Sequence, residues 1–135
     1  MRERVVPTPA TRWTLPAYCL LFGYIGAIFT YQAAERTDAP VYDVARSIMP
    51  IHMWGLLFVV VAIVDLVAIL TQERVAFVLG LAFGAAVAAF WAVALGAPAF
   101  SDPHVSYTAG AWQALGAVAQ VVTLHFTLTN SEDPA

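Results

Sequence analysis

The sequence predicts an all-α membrane protein with four transmembrane helices and a short external interfacial helix before the second. Three observations carry this prediction. The 135-residue chain is 61% hydrophobic. Only 11% of it is charged, where a soluble domain carries about 25%. The apolar residues gather in long runs, at 14–33, 50–71, 75–97 and 107–129. Each run approaches or exceeds the roughly 20 residues that cross about 30 Å of hydrocarbon at 1.5 Å per residue. Unpaired backbone groups find no water in lipid, so such runs are helical. Together they make one four-helix domain over 1–135.

The first run follows Arg2, Arg4 and Arg12, as the apolar part of a signal peptide would. It ends in "FTYQAAER" with no A-x-A cleavage site, and Tyr18 precedes Cys19 where a lipoprotein signal needs a small residue. It therefore reads as an uncleaved anchor. A single cysteine forms no internal disulfide, so Cys19 is a packing residue. All six basic residues are arginines. Three lie in the N-terminal tail and Arg74 lies in the "TQER" loop after the second run. Arg36 and Arg46 follow the first run among Glu35, Asp38 and Asp43, and "APAFSDPHVS" has none. The arginine excess predicts that both termini are cytoplasmic. The tail, "NSEDPA", is acidic and offers no polybasic contact to anionic lipid or nucleic acid.

The segment "TDAPVYDVARSIM" predicts the short surface helix. Asp38 can cap it and Pro40 suits its first turn. Val41, Val44, Ala45, Ile48 and Met49 then share a face that Asp43 and Arg46 avoid. Pro50 ends it and opens the second run.

The third run repeats Gly80, Gly84, Ala88, Ala92 and Gly96 every four residues. Such a face lets another helix approach closely, within the chain or between chains. The first run has a shorter version in Cys19, Gly23 and Ala27. The fourth run carries a polar stripe of Gln113, Gly116, Gln120, Thr123 and Thr127. Amides in a span face other helices, where they can be satisfied. "AIVDLVAIL" places Asp65 in the apolar second run, where a charge costs about 2.5–3.5 kcal/mol by insertion scales. Helical rise sets Asp65 about 9 Å from the inner end of its helix, with Gln120 at about 13 Å and His125 at about 6 Å on theirs. Asp65 can then pair with Gln120 or His125. Either it clasps two helices, or it lines a polar path with Gln113, Gln120, Thr123 and His125.

His52 and His125 belong at opposite membrane faces and cannot share one haem iron. His52 and His104 are both external, and no ligand spacing supports a metal site there. No phosphate loop, cysteine pair or nucleophile motif occurs. The sequence thus calls for no cofactor, no metal and no catalytic residue, and the chain does not read as an enzyme. Trp13, Trp54, Trp112 and Tyr107 fall near helix ends and read as interfacial anchors, with Trp91 deeper as packing.

The layout of "LPAYCLLFGYIGAIFTYQAAER", "SIMPIHMWGLLFVV" and "FSDPHVSYTAGAWQALG" resembles small four-helix membrane proteins of actinobacteriophages, some of them regarded as holins. This resemblance covers most of the chain as an arrangement. It implies a multi-pass protein of the bacterial inner membrane that forms homo-oligomers in the lipid bilayer. Such a protein permeabilises that membrane during host lysis. The acidic tail departs from the basic tail that many holins carry. Two other readings follow from the residues: a non-lytic accessory subunit packed on another membrane protein, and a small ion or proton channel.

Overall fold

The computed structural model describes residues 9–31 and 39–129. Their long elements are helical: α1 (Pro9–Tyr31), α3 (Ile51–Thr71), α4 (Arg74–Gly96) and α6 (Thr108–Thr129). A 3-10 turn at Pro40–Tyr42 leads into the short α2 (Asp43–Ile48), and α5 (Pro98–Ser101) is a single turn after α4. The boundaries of the four long helices match the apolar runs closely, except that α1 begins earlier and carries Pro16 within it.

Among the described residues, three helices are long and apolar enough to cross a membrane, over Arg12–Tyr31, Ile51–Thr71 and Arg74–Ser101. The expected fourth span forms a 22-residue helix, α6, but its composition falls short of the same standard. Gln113, Gln120, His125 and its threonines lower its hydropathy. The chain is therefore a helical protein with three candidate membrane-spanning helices.

The long helices run up, down, up and down. Along α1, Gly23 faces Ala62 while Gly26 and Thr30 face Gly55, so α1 and α3 are antiparallel. Asp65 lies against Gly80 while Trp54 stacks on Phe90, which makes α3 and α4 antiparallel. Gly84 meets Gln120 and Gly96 meets Gly110, which does the same for α4 and α6. α1 packs mainly on α3, and α6 mainly on α4. α1 and α6 touch only locally, where the Tyr18 hydroxyl donates to the Gly116 carbonyl at 3.2 Å.

Two apolar clusters fill the bundle. The larger contains Phe22, Phe58, Val61 and Trp91 and is continuous with the short helix through Ala45. The smaller, toward the start of α1 and the end of α3, joins Leu15, Ala68, Phe77 and Leu81. Rings dominate the larger one, with Phe29 stacked on Trp91 at 5.1 Å and Phe22 on Phe58 at 5.7 Å. Trp54 departs from its expected role as an anchor. It is buried, and its indole N–H donates to the Ala45 carbonyl at 3.1 Å, which fixes α2 over α3. Trp13, Trp112 and Tyr107 are exposed, as interfacial anchors would be.

A short helix forms over part of the segment whose periodicity predicted one, with Pro40–Tyr42 as a 3-10 turn before it. Ala45 is fully buried and Val41, Val44 and Met49 are half-buried, but Ile48 is exposed because α2 ends there. Asp43 and Arg46 pair with each other on the outer side. The expected cap, Asp38, lies outside the described residues.

Candidate functional site

α3 turns Phe58, Val61, Ala62, Asp65 and Ala68 inward, a spacing of three and four residues that follows the helical period. Asp65 thereby enters the core with its neighbours and is only 1% exposed. Its carboxylate lies over Gly80 of α4, where an added methyl carbon would come within 2.5 Å of Oδ1. The missing side chain at Gly80 is what makes room for it. Neither carboxylate oxygen has a hydrogen-bond partner. The Cys19 thiol donates to the Ala62 carbonyl at 3.3 Å, one helical turn from Asp65.

One turn along α4, Gly84 receives a second polar group. The Gln120 amide oxygen occupies the space a side chain there would fill, with Phe22 beside it. Gln120 is also 1% exposed, and its amide nitrogen has no partner. Gly80 and Gly84 are four residues apart, or about 6 Å of helical rise. An unpaired acceptor and an unpaired donor thus stand one turn apart on one face of α4. The two apolar clusters close off this pair at either end of the bundle. The arrangement is a buried polar pair set within an apolar core.

The other predicted polar residues divide clearly. Thr123 and Thr127 face inward beside Gln120, but their hydroxyls donate to the Ala119 and Thr123 carbonyls, each at 2.8 Å. Their protons are used within α6, which leaves oxygen lone pairs to face the bundle. Gln113 is half-buried and lines a separate cavity near the other end. His125 is exposed and its ring lies near Phe126, so the structure does not bring it to Asp65.

The small-residue face of α4 is used within the chain. Asp65 covers Gly80, Gln120 and Phe22 cover Gly84, Ala88 is buried, and Gly110 packs against Ala92 and Gly96. A tighter crossing lies between α1 and α3. A methyl carbon at Gly26 would come within 2.9 Å of the Gly55 carbonyl oxygen, and one at Gly55 within 2.6 Å of the Thr30 backbone nitrogen. The sequence stripe on α1 named Gly23 and missed Gly26. A Gly26–Thr30 pair at i, i+4 on one helix, facing a lone glycine on the next, was the available signal.

Among the described residues no group of three or more His, Cys, Asp or Glu side chains could hold a metal ion. His52 and His104 are both exposed. Comparisons with protein-family models, with curated proteins and with solved structures return no match.

Proposed function

We propose that this chain is a small membrane-embedded protein that conducts protons or a small monovalent cation by way of the buried Asp65–Gln120 pair. One observation carries the reading: Asp65 is buried in apolar surroundings with both oxygens unpartnered. A clasp between helices would show a bond from Asp65 to Gln120 or His125, and neither is formed. A carboxylate in such surroundings needs a proton or a cation to balance its charge, and intramembrane acids are expensive enough to mark transport paths. Asp65 would be the carrier, and Gln120 would orient the transferred species by its amide.

In this reading α6 is the fourth span. Its outer side carries Leu115, Val118, Val121 and Val122, with His125 the polar exception toward its end, while its polar stripe points inward. A helix of this kind suits a bundle in which the polar face is covered by protein and the apolar face meets lipid. The holin-like alternative needs a contact face between chains. The small-residue face that would supply it is already covered by α3 and α6.

The test is reconstitution in phospholipid vesicles holding a pH-sensitive dye and, separately, carboxyfluorescein. Proton entry under an imposed gradient without loss of carboxyfluorescein is the expected result, and Asp65→Asn should abolish that entry while keeping the helical fold. Release of carboxyfluorescein would favour a holin-like lesion. Proton entry that persists unchanged in Asp65→Asn would remove the buried pair from the mechanism, and silence would favour an accessory subunit.

A further inference from the structure

α1 and α6 touch at Tyr18 and Gly116, and on one side of that contact a cavity of about 400 Å³ opens between them. Ile25 lines it from α1, Phe58 from α3, Trp91 from α4 and Gln113 from α6. Ala109 and Trp112 are exposed and form its rim. Tyr42 and Gln113 bring polar groups to the lining. A roomy space with polar groups admits water, whereas an enclosed apolar cavity stays dry.

The buried pair lies two helical turns from this cavity on the same faces. Gln120 follows Gln113 by seven residues, and Asp65 follows Phe58 by seven. Seven residues make about 10 Å of rise and nearly two whole turns, so each couple shares one side of its helix. Between cavity and pair stand Ala62 on α3, Ala88 on α4 and Ala117 on α6, all small and buried. The ring of Phe22 reaches into that layer from α1. Phe22 is 2% exposed, stacks on Phe58 at 5.7 Å and lies beside the Gln120 amide at Gly84. It touches a wall residue of the cavity on one side and a member of the pair on the other. Tyr18 stacks on Phe22 at 6.0 Å, and its bond to the Gly116 carbonyl ties α1 to α6 at that level.

We propose that this cavity is the aqueous entrance to the Asp65–Gln120 pair and that the Phe22 ring is the gate between them. The proposal rests on the reading that the pair carries a proton or a small cation. Swinging this ring away from Gly84 leaves a passage bordered by alanine side chains, with the helices still packed.

The experiment uses the full chain in phospholipid vesicles, with Cys19→Ser so that each variant carries a single introduced thiol. The probe is Ag+, a small ion that travels in water and binds thiols, supplied on both faces of the membrane. Blocked thiols are those that fail to take up N-ethylmaleimide once the chain is unfolded. Gln113→Cys should be blocked rapidly. Gln120→Cys should be blocked at least about 10-fold more slowly, as for an open state populated below about 10%. Adding Phe22→Ala should bring the Gln120→Cys rate close to that of Gln113→Cys. Phe22→Leu, which keeps a branched apolar side chain and loses the ring, is the second variant if Phe22→Ala folds poorly. A Gln113→Cys thiol that resists Ag+ would overturn the cavity as an aqueous entrance. A Gln120→Cys rate that neither Phe22 variant changes would overturn the gate. Proton entry is measured separately with Cys19 and Gln120 intact, where Phe22→Ala should speed it and Asp65→Asn should abolish it. The expected thiol rates without any proton entry would support the entrance and overturn the conduction reading instead.

Discussion

Replacing Asp65 by leucine separates stability from function at a single residue. Leucine has the same branching as aspartate, and both carboxylate oxygens it would remove are unbonded in the core. Removing an unsatisfied buried polar group leaves no partner stranded. Asp65→Leu should therefore stabilise the bundle, by about 1–3 kcal/mol, while abolishing conduction. Thermal unfolding in detergent micelles checks the sign. A loss of stability would mean that Asp65 bonds to a partner after all. Gly84→Ala should act oppositely, because its methyl group would overlap the Gln120 amide and crowd Phe22. Overpacking of this kind costs about 1–3 kcal/mol, and the same unfolding assay reads it. Much of this site was legible in the sequence, since fixed helical rise gave the depths of Asp65 and Gln120. His125 was misjudged because depth was weighed without azimuth. Five residues carry it about 140° around α6 from Gln120, off the inward stripe.

At the scale of the helices, α1 and α3 meet backbone against backbone. Gly26 and Gly55 let α1 and α3 approach until a side chain at either position would meet main-chain atoms. Side-chain ends can rotate away from an added methyl group, but a helix backbone moves only as a unit. Gly26→Ala and Gly55→Ala should each cost more stability than Gly80→Ala, whose nearest neighbour is the Asp65 carboxylate. Both should lose at least about 1–3 kcal/mol in the same unfolding assay. A Gly55→Ala variant as stable as the unaltered chain would show that α1 and α3 stand further apart. This crossing was hidden in the sequence because it pairs residues 29 positions apart on different helices. Periodicity within one helix cannot announce such a pairing. The face of α4 was visible because five small residues repeat along one span, but its partners, Asp65, Gln120 and Gly110, are tertiary facts.

The whole molecule poses the question of whether α6 crosses the membrane. The up-down-up-down order places the start of α1 and the end of α6 at the same end of the bundle. The hydropathy of α6 leaves only three helices apolar enough to span by composition alone. The two descriptions agree if α6 is carried across by packing: Gln120, Thr123 and Thr127 are buried against the bundle while Leu115, Val118, Val121 and Val122 face outward. A helix whose polar groups are covered by protein need not meet the hydropathy of one surrounded by lipid. Arg12 and Arg74 stand at the end shared by the start of α1 and the end of α6, and the positive-inside rule would put that end in the cytoplasm. Reporter fusions after Arg12, within 36–46, after Arg74 and at the C-terminus should therefore read cytoplasmic, external, cytoplasmic and cytoplasmic. The last fusion is the decisive one. An external C-terminus with the other three unchanged would leave α6 on the far surface with three spans below it. Gln120 could not then reach Gly84 within the membrane, and the buried polar pair would lose its donor.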